Sequence, residues 1–571
     1  MPPTTTDRKT LAAYLAVACL LVLPMGANAW AAPASAIHNE RPDDPPAAPA
    51  KVAPGSRTNA TITYGRFTHV QVNVAAGGAN IANDAANEPS IAVDPTNHDR
   101  MVVGWRQFDT VFSNFRQAGY GWTTNGGATW TASKIQPGVF RSDPVLVADA
   151  QGRFYYNSLG STATLQTQVF RSTDGGATWG PLTYAYGGDK QWMTVDRTFG
   201  PGAGHLYQAW STAGNQFAPN TFNRSIDGGA SFQPPSSIPD SPVWGTLDVA
   251  PDGTLYVAGS YGPGTGVLVS RSFDAENPLA SPTFTTFAPD IGGAMSFAGP
   301  NPAGLLGQVW IAVDPSSGPR SGWVYVLCSV ETADDPLDVM FIRSTDQGAT
   351  WSTPVRINDD LPGNGALQWF GSMSVSPQGR IDVTWNDTRG SEDVTLSALH
   401  YAYSTDGGAT WSPNEQASPV WNCQVGWPNQ AKIGDYYHMV SDATGADLAW
   451  SATFNGEQDV YYVRIGNTAT GVPDLASAAT RPRLHAPAPN PARGAATLHF
   501  EVPREEHVRL EVFDAAGRRV TMLVDGRVPA GAGSARWDGR DHRGRAVESG
   551  VYLCRLETAG ATSTRKLLLL R

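Results

Sequence analysis

The stretch that decides the fold is STDGGATW, residues 172–179, because close copies of it recur along the chain. The copies are TTNGGATW (123–130), SIDGGASF (225–232), STDQGATW (344–351) and STDGGATW (404–411), with a decayed sixth at Ser272-Phe-Asp274. Asp beside Gly is a strong hairpin signal, because Gly adopts the positive φ of the turn and Asp can bond its own turn backbone. The terminal Trp or Phe offers a large apolar surface to a neighbouring unit. We therefore interpret the central residues as structural: Asn125, Asp174, Asp227, Asp274, Asp346 and Asp406.

The segments between the copies are also regular. Before each copy, two alternating strands flank a polar turn, as in residues 90–105 and 143–156. The unit is strand, turn, strand, loop, strand, Asp-Gly turn, strand, and a four-stranded antiparallel unit repeated radially is a β-propeller. Seven inner strand pairs predict seven blades, with six as the alternative. The last unit lacks its fourth strand, and we expect the unpaired strand 66–73 to complete that blade.

Composition supports an all-β protein of more than one folding unit. The chain has 571 residues, and its 10% aromatic and 16% charged residues, 60 Gly and 43 Pro argue against a helical or a disordered chain. The length exceeds what one compact core usually serves. The N-terminus has the order of a secretory signal peptide, with Arg8 and Lys9, then the apolar run Leu11–Leu23, then small residues. That run ends at Pro24, short of the roughly 20 residues that a membrane span needs.

These patterns predict five segments. They are a signal peptide at 1–31, a disordered linker at 32–62, the propeller at 63–467, a Pro/Ala-rich linker at 468–488 and a small domain at 489–571. The tail from residue 481 carries a net charge of +6, although the whole chain carries −11. Its short alternating strands predict a small Ig-like β-sandwich. Cys328, Cys423 and Cys554 remain after cleavage, so at most one disulfide can form within the chain.

The repeated pattern Ser/Thr-X-Asp-X-Gly-X-Thr-Trp resembles the Asp-box, or BNR repeat, of the sialidase superfamily. The resemblance covers about residues 63–467 and implies an Asp-box β-propeller. Members of that family include exo-sialidases, other glycosidases and non-catalytic binding propellers. Their boxes lie on the rim away from the active site, which agrees with a structural role here. The fold alone does not fix the function.

The tail resembles a second family. Its stretches PNP (489–491), VFDAAGRRV (512–520), WDGRD (537–541), SGVY (549–552) and the KLLLLR end are similar to the FlgD-type Ig-like domain and to type IX sorting domains. This resemblance implies delivery to the surface or medium of a Gram-negative bacterium, with the secretion machinery as a partner. A plain accessory sandwich is the other interpretation.

Candidate site residues come from the loops that enter the first strand and leave the second strand of each blade, because these loops converge on one face. That face would collect Glu88, Arg106, Asp109, Arg141, Asp143, Asp189, Lys190, Glu331, Asp387, Arg389, Asp435 and Tyr436. A sialidase needs arginines for the substrate carboxylate, a Tyr nucleophile activated by Glu, and an Asp acid. The resemblance nominates Tyr436, Glu331 and Asp387 for catalysis and Arg106, Arg141 and Arg389 for substrate binding. The other interpretation treats these residues as loop hydrogen bonders around a solvated funnel.

The expected function is therefore an exported sialidase-like propeller that binds or hydrolyses glycans. The alternative is a non-catalytic cell-surface binding or adhesion propeller. No complete arginine triad can be assigned, because the nearest match to the family's Arg-Ile-Pro is residues 140–144, which contain an inserted residue. Carboxylates around the funnel are compatible with Ca²⁺, although no loop motif supports it, and no other cofactor is expected. Scattered arginines argue against a nucleic-acid partner, and we expect a monomer.

Overall fold

The computed structural model describes residues 61–570, with gaps at 162–163, 213–214, 263, 298, 467–481, 485–486, 488–489, 503–505, 529–530 and 560. The predicted signal peptide and nearly all of both predicted linkers lie outside the described residues. The described part contains no helix, so it has no helix that is long and apolar enough to cross a membrane. It divides into two compact units, the first comprising the described residues to Ser441 and Asp447–Arg464, the second Asp442–Ala446 and the described residues from Ile465.

Strands β1 to β29 follow one another along the chain as far as residue 466. The first of them are β1 (Thr61–Tyr64), β2 (Phe67–Gln71), β3 (Ala85–Val93), β4 (Met101–Phe108), β5 (Arg116–Thr123), β6 (Thr131–Ile135), β7 (Arg141–Ala148), β8 (Phe154–Ser161), β9 (Leu165–Ser172), β10 (Thr183–Tyr184), β11 (Trp192–Val195), β12 (Leu206–Ala209), β13 (Phe222–Ser225), β14 (Leu247–Val249) and β15 (Leu255–Ser260). They continue with β16 (Val267–Ser272), β17 (Thr285–Phe287), β18 (Trp310–Val313), β19 (Val324–Val330), β20 (Asp338–Ser344), β21 (Val355–Arg356), β22 (Gln368–Val375), β23 (Ile381–Asp387), β24 (Leu396–Ser404), β25 (Glu415–Gln416), β26 (Trp421–Asn422), β27 (His438–Ser441), β28 (Gly445–Ala452) and β29 (Asp459–Gly466).

These strands form antiparallel sheets whose first strands make a ring. The sheets are β3–β6, β7–β10, β11–β13, β14–β17, β18–β21, β22–β25 with β26 on β24, and β27-β28-β29-β2-β1. The first strands contact one another in the cycle β3, β7, β11, β14, β18, β22, β27 and back to β3. A cycle of radially arranged meanders is a β-propeller, so the predicted all-β propeller class is confirmed. Only three strands of the β11–β13 sheet are present in the described residues, where the repeat predicts a fourth.

The ring closes between its two ends. Strand β2 pairs antiparallel with β29, with His69 opposite Val463 and Gln71 opposite Tyr461, as the unpaired N-terminal strand predicts. Strand β1 adds a further hairpin strand to β2, beginning at Thr61, two residues before the predicted start of the propeller. The pairing uses the backbone edge that a last sheet would otherwise expose to solvent.

The Asp-boxes are turns that hold sheets together. In the box at 344–351, Asp346 Oδ1 accepts hydrogen bonds from Ser344 Oγ and the Thr350 N–H, both at 2.8 Å, and Oδ2 accepts from Thr350 Oγ1 at 2.6 Å. The decayed copy makes the same bonds across a longer loop, with Thr283 in place of the usual Thr. The six predicted structural residues, Asn125, Asp174, Asp227, Asp274, Asp346 and Asp406, all accept these turn bonds.

The aromatic residue that ends a box packs on the preceding sheet. Trp130 lies 5.4 Å from Tyr462 between ring centroids, Trp179 lies 5.8 Å from Tyr120, and Trp411 lies 5.1 Å from Phe341. At Gly408 the backbone has φ 78°, and a Cβ there would stand 2.2 Å from Phe341 Cε1. The box therefore needs both its aromatic residue and its second glycine for contact between neighbouring sheets.

The second unit is a small sandwich of two sheets. Its strands are β30 (Arg483–Leu484), β31 (Ala492–Arg493), β32 (Ala496–Val502), β33 (Glu506–Asp514), β34 (Arg519–Val528), β35 (Gly531–Trp537), β36 (Gly550–Thr558) and β37 (Ala561–Leu570). The sheet orders are β30-β32-β35 and β31-β37-β36-β33-β34. Leu498, Val512, Trp537 and Leu567 are buried in one apolar core. Strand β30 falls within the predicted linker 468–488, so two residues of that segment belong to a sheet. The three cysteines of the described residues are free and buried.

Hydrogen bonds from Thr350 and Ser344 lower the pKa of Asp346 to about 2, so this carboxylate is ionised at neutral pH. We expect Asp346→Ala to reduce the free energy of unfolding by about 1–2 kcal/mol, because several turn donors lose their acceptor. Asp346→Asn is the matched control, since Asn125 makes the same turn bonds in its own box. Thermal melts followed by circular dichroism would measure both. Equal losses in the two variants would contradict this account of the box.

Candidate functional site

The central channel has two different ends. The first strands of the sheets run from the face where the sequence predicts a site, which we call the funnel face, to turns at the opposite face. The Asp-boxes lie with those turns: the Gly126 N–H donates to the Asp99 carbonyl at 3.1 Å, and Gln347 Nε2 donates to Asp252 Oδ2 at 3.0 Å. We call this second end the Asp-box face. The predicted separation of boxes from the funnel residues therefore holds in the structure.

At the funnel face, charged side chains form one buried group, which we call the ionic cluster. Its members are Glu88, Arg106, Asp143, Asp189, Lys190, Lys432 and Asp435. Lys190 Nζ lies 2.5 Å from Asp435 Oδ2 and 3.6 Å from Asp143 Oδ2. Lys432 Nζ lies 2.8 Å from Asp435 Oδ2 and 3.1 Å from Glu88 Oε1. Arg106 Nε lies 3.1 Å from Glu88 Oε2, so the ion pairs join into one network.

The backbone fixes this network in place. Glu88 and Asp143 lie at irregularities near the starts of β3 and β7, and Lys190 lies just before β11; their φ values are left-handed, at 52°, 45° and 56°. A non-glycine residue in that region is strained, and such strain persists only when the surroundings hold it. Asp435 also accepts a hydrogen bond from the Leu305 N–H at 2.7 Å. The side chains of Glu88 and Arg106 are fully buried, so the network is sealed from solvent.

The charges of the ionic cluster do not balance when every group is ionised. Four carboxyl groups face three cations, and a buried excess charge is costly. Burial raises the pKa of Glu88 to about 8, against the lowering effect of Arg106 and Lys432. Burial also acts on Asp435, but Lys190 and Lys432 hold its pKa well below the ordinary value. Protonated Glu88 therefore leaves the cluster with three carboxylates and three cations.

Two of the nominated residues lie at the ionic cluster. Arg106 belongs to it, and its Nε also donates to Asn87 Oδ1 at 2.8 Å. Tyr436 is 2% exposed, and its hydroxyl group donates a hydrogen bond to the Pro144 carbonyl at 2.8 Å. Burial and the charges of Glu88 and Asp143 raise the pKa of Tyr436 well above 10. A tyrosine nucleophile needs the opposite shift.

The other nominated residues are held elsewhere. Arg141 donates to Gln136 and Gln168 and lies over the Phe170 ring. Arg389 donates to Asp387 and Asp359, at 2.9 and 2.6 Å. The three predicted arginines are thus engaged by three different sets of residues, and the expected carboxylate clamp does not assemble from them.

The expected catalytic carboxylates are also placed differently from the prediction. Asp387 accepts from Trp385 Nε1 at 2.8 Å and pairs with Arg389. Glu331 is exposed, and its backbone pairs with Ala294 in an isolated bridge. No hydrogen bond or ion pair of the described residues links either carboxylate to Tyr436. The hydrogen bonds of Arg141, Asp387 and Arg389 agree with the other interpretation, in which the candidates are hydrogen-bonding loop residues, although the ionic cluster itself is buried.

Sequence reasoning missed Lys432, although it lies on the same entering loop as Asp435. A criterion that took every charged residue of that loop would have included it. The reasoning also missed Arg197, which follows the first strand of its sheet at the Asp-box face. The sequence candidates came only from loops of the funnel face. Arg197, which lies two residues after a buried strand, was therefore not among them.

The Asp-box end of the channel is an open cavity of about 490 Å³. Its lining includes Trp192, Arg197, Asp248, Trp310 and His438. Trp192, Trp310 and His438 form an aromatic cluster, with ring centroids 5.3 Å apart for the two tryptophans and 5.7 Å apart for Trp310 and His438. The cavity volume lies within the range of small-molecule sites.

Arg197 is the basic group of this cavity. Its Nε donates to the Ala148 carbonyl at 2.7 Å, and no carboxylate of the described chain lies within ion-pair distance of its guanidinium. Asp248 also lines the cavity, and its oxygens accept from the Val249 and Val313 N–H groups at 2.8 Å. Burial raises the pKa of Asp248 to about 6. Burial lowers the pKa of His438 to about 3, so this imidazole is neutral at physiological pH.

Comparison with known families gives two matches. The family model for the BNR/Asp-box repeat matches residues 402–413, and that for the FlgD Ig-like domain matches residues 490–561. Both agree with the resemblances found in the sequence. A search of curated proteins finds no match to this chain.

Solved structures with a similar fold share little sequence with this chain. A protein of unknown function from Dyadobacter fermentans is 14% identical, with 70% of this chain and 97% of that chain covered and a TM-score of 0.40. The protein YCF48 is 13% identical, with 73% and 100% covered and a TM-score of 0.40. The Hadza microbial sialidase Hz136 is 14% identical, with 64% and 76% covered and a TM-score of 0.36. Likeness at this level carries no argument about activity.

The raised pKa of Glu88 makes stability depend on pH. Native Glu88 keeps its proton up to about pH 8, whereas the unfolded side chain loses it near 4.5, so wild-type stability falls as pH rises between these values. We expect Glu88→Gln, which mimics the protonated form, to remove that part of the fall and to be at least as stable as wild type at pH 8. Denaturant unfolding at several pH values between 5 and 9 would measure this.

Asp435→Asn is the matched control within the same cluster. It removes the carboxylate shared by Lys190 and Lys432, and breaking a buried pair in this way costs about 3–5 kcal/mol at neutral pH. If Glu88→Gln were as destabilising as Asp435→Asn at pH 8, Glu88 would be the ionised partner and our assignment of the proton would be wrong.

Proposed function

We propose that this protein is a non-catalytic binding propeller that takes an acidic sugar residue of a glycan into the cavity at its Asp-box face. The observation that carries the proposal is the Arg197 guanidinium, which lines an open cavity and has no carboxylate of the described residues within ion-pair distance. A planar guanidinium with free donors suits a carboxylate, which it can bind through two parallel hydrogen bonds.

The rest of the lining fits a sugar ring. Trp192 and Trp310 provide aromatic surface deep in the cavity, and Phe199 is fully exposed at its mouth. Aromatic rings favour the apolar faces of pyranose rings by burying C–H surface. Thr194, Ser374 and the Asp248 carboxyl offer polar atoms for sugar hydroxyl groups. A few polar groups in an apolar cavity is the composition of many ligand sites.

Binding without hydrolysis is favoured by the state of the funnel residues. Tyr436 is buried, its hydroxyl group donates a hydrogen bond to a backbone carbonyl, and its pKa is raised. Its predicted partners Glu331 and Asp387 are not bonded to it, and the three predicted arginines are engaged separately. These features support the binding alternative over the exo-glycosidase.

We also propose export and display at the cell surface. The order of charged, apolar and small residues at 1–31 supports export, and the FlgD Ig-like match at 490–561 supports a role of the second unit in display or in recognition by secretion machinery. A binding propeller outside a bacterial cell would meet acidic glycans of hosts, neighbours or extracellular polymers.

Titration calorimetry with N-acetylneuraminic acid and with glucuronic acid methyl glycosides tests the site. We expect Arg197→Gln to weaken binding by about tenfold to 100-fold, the effect of losing a charge-assisted bond. Arg171→Gln is the matched control, because Arg171 is exposed on β9 and does not line the cavity. Affinity should rise as pH falls from 7 to 5, since Asp248 with its pKa of about 6 becomes neutral. Wild-type affinity shared by Arg197→Gln would refute the proposed site.

A fluorogenic sialoside assay tests the catalytic alternative. We expect no turnover from wild type and none from Tyr436→Phe. Turnover that is lost in Tyr436→Phe would restore the sialidase interpretation.

Export is tested by cell fractionation and by sequencing the mature N-terminus. We expect a mature chain that begins near residue 32, and a variant without residues 1–31 that stays inside the cell. A mature protein that still begins with Met1 would contradict the signal peptide.

A further inference from the structure

A second buried polar cluster lies where the ring closes, among the residues that precede β3 and follow β28. We call it the closure cluster. Its members are Gln71, Asn73, Asn80, Asn83, Asp84, Asn455, Glu457 and Asp459. They come from β2 and the segment after it, from the residues just before β3, and from the turn that leads into β29. The cluster therefore joins the N-terminal end of the propeller to its last sheet.

Three carboxylates converge in the closure cluster. One oxygen each from Asp84, Glu457 and Asp459 lies within 4.8 Å of the other two. Asp84 and Asp459 are completely buried. In contrast to the ionic cluster, no Lys, Arg or His of the described residues lies within ion-pair distance of these three carboxylates. Three acidic groups, two of them completely buried and Glu457 half-buried, thus lie together without a basic partner, an arrangement that is costly unless a cation or protons neutralise it.

The hydrogen bonds of the cluster come from neutral groups. Asp459 Oδ1 accepts from Gln71 Nε2 and Asn73 Nδ2, both at 2.8 Å. Glu457 accepts from Asn80 Nδ2 at 2.5 Å and from the Asn83 N–H at 2.6 Å. These donors orient the carboxylates and supply no positive charge.

One atom of the cluster has no bonding partner. Asp84 Oδ2 accepts from Gln107 Nε2 at 2.8 Å, but Asp84 Oδ1 has no hydrogen-bond partner in the described part of the chain. An unpaired buried carboxylate oxygen is rare, because it loses its hydration without compensation. A cation, which accepts electron pairs from oxygen, would supply the missing partner of Asp84 Oδ1.

We propose that Asp84, Glu457 and Asp459 bind a calcium ion. Ca²⁺ binds oxygen ligands at 2.3–2.6 Å, so two oxygens on opposite sides of it lie about 5 Å apart. The three carboxylate oxygens lie within 4.8 Å of one another, close enough to bind one such ion together. All three candidate ligand atoms are carboxylate oxygens. The side-chain amides of Asn80 and Asn455 lie next to the carboxylates and can present further oxygens to the ion after rotation. Mg²⁺ demands shorter, octahedral coordination and gives up its water reluctantly, so a dry site of this kind favours Ca²⁺.

The structure also offers a path to this site. A cavity of about 280 Å³ has Asn73, Ile81, Asp84 and Gln107 in its lining. An ion bound there would link the residues before β3 to those before β29, beside the β2–β29 pairing. Calcium would thus stabilise the closed ring, and its removal would weaken the contact between the two ends of the propeller.

The test uses the full chain, freed of metal by a chelator and titrated with CaCl₂ by calorimetry. We expect one calcium ion per chain and a melting temperature that rises with Ca²⁺ and much less with Mg²⁺. Asp84→Asn and Asp459→Asn should each weaken Ca²⁺ binding by at least about tenfold. Asp109→Asn is the matched control, because Asp109 is a buried carboxylate of the same region that already pairs with Lys134 at 2.7 Å.

Two results would overturn the proposal. The first is the absence of calcium-dependent heat and of any melting shift in wild-type protein, which would mean that protons neutralise the carboxylates. The second is calcium binding that is unchanged in both Asp84→Asn and Asp459→Asn, which would place the ion elsewhere. Circular dichroism in excess Ca²⁺ checks that each variant is folded, and Asp459→Asn keeps the test valid if Asp84→Asn fails to fold.

Discussion

The pairing of β2 with β29 is the constraint on which the rest of the propeller depends. Antiparallel sheets placed around an axis leave the last sheet with an exposed edge unless the chain supplies a strand from its other end. That strand brings Asn73 and Asp84 to the turn before β29, where Asp459 lies. It also lets β27 contact β3, which completes the channel wall. The aromatic residues of the Asp-boxes then hold neighbouring sheets together around a ring that is already closed.

The two ends of the channel differ because their charges are satisfied differently. At the funnel face Lys190 and Lys432 share Asp435, so the buried charged side chains pair with one another. At the Asp-box face Arg197 has a backbone carbonyl as its partner and an open cavity beside it. A cation that makes no direct ion pair can bind an external anion, whereas one inside a closed network cannot.

The fold could be predicted from the sequence because its signals are local and repeated. The turn chemistry of Asp346 and its equivalents, and the alternation before each box, both depend on residues close in sequence. Counting strands alone predicts that the unpaired strand before β3 closes the ring. The site could not be predicted in the same way, because whether these side chains face solvent depends on residues distant in sequence. Arg106 and Lys432 share Glu88, and Tyr436 bonds the Pro144 carbonyl. Several of the charged candidates lie together at the funnel face, whereas the accessible cavity lies at the opposite end of the channel.

Ring closure also determines when the propeller can finish folding. His69 pairs with Val463, so roughly 400 residues separate the two halves of this contact along the chain. During synthesis the N-terminal strand leaves the ribosome long before its partner exists, and intermediate sheets can form while the ring is still open. If the chain is exported unfolded, the last pairing forms only after the whole propeller has crossed the membrane. An ion available only outside the cell would then bind where folding is completed.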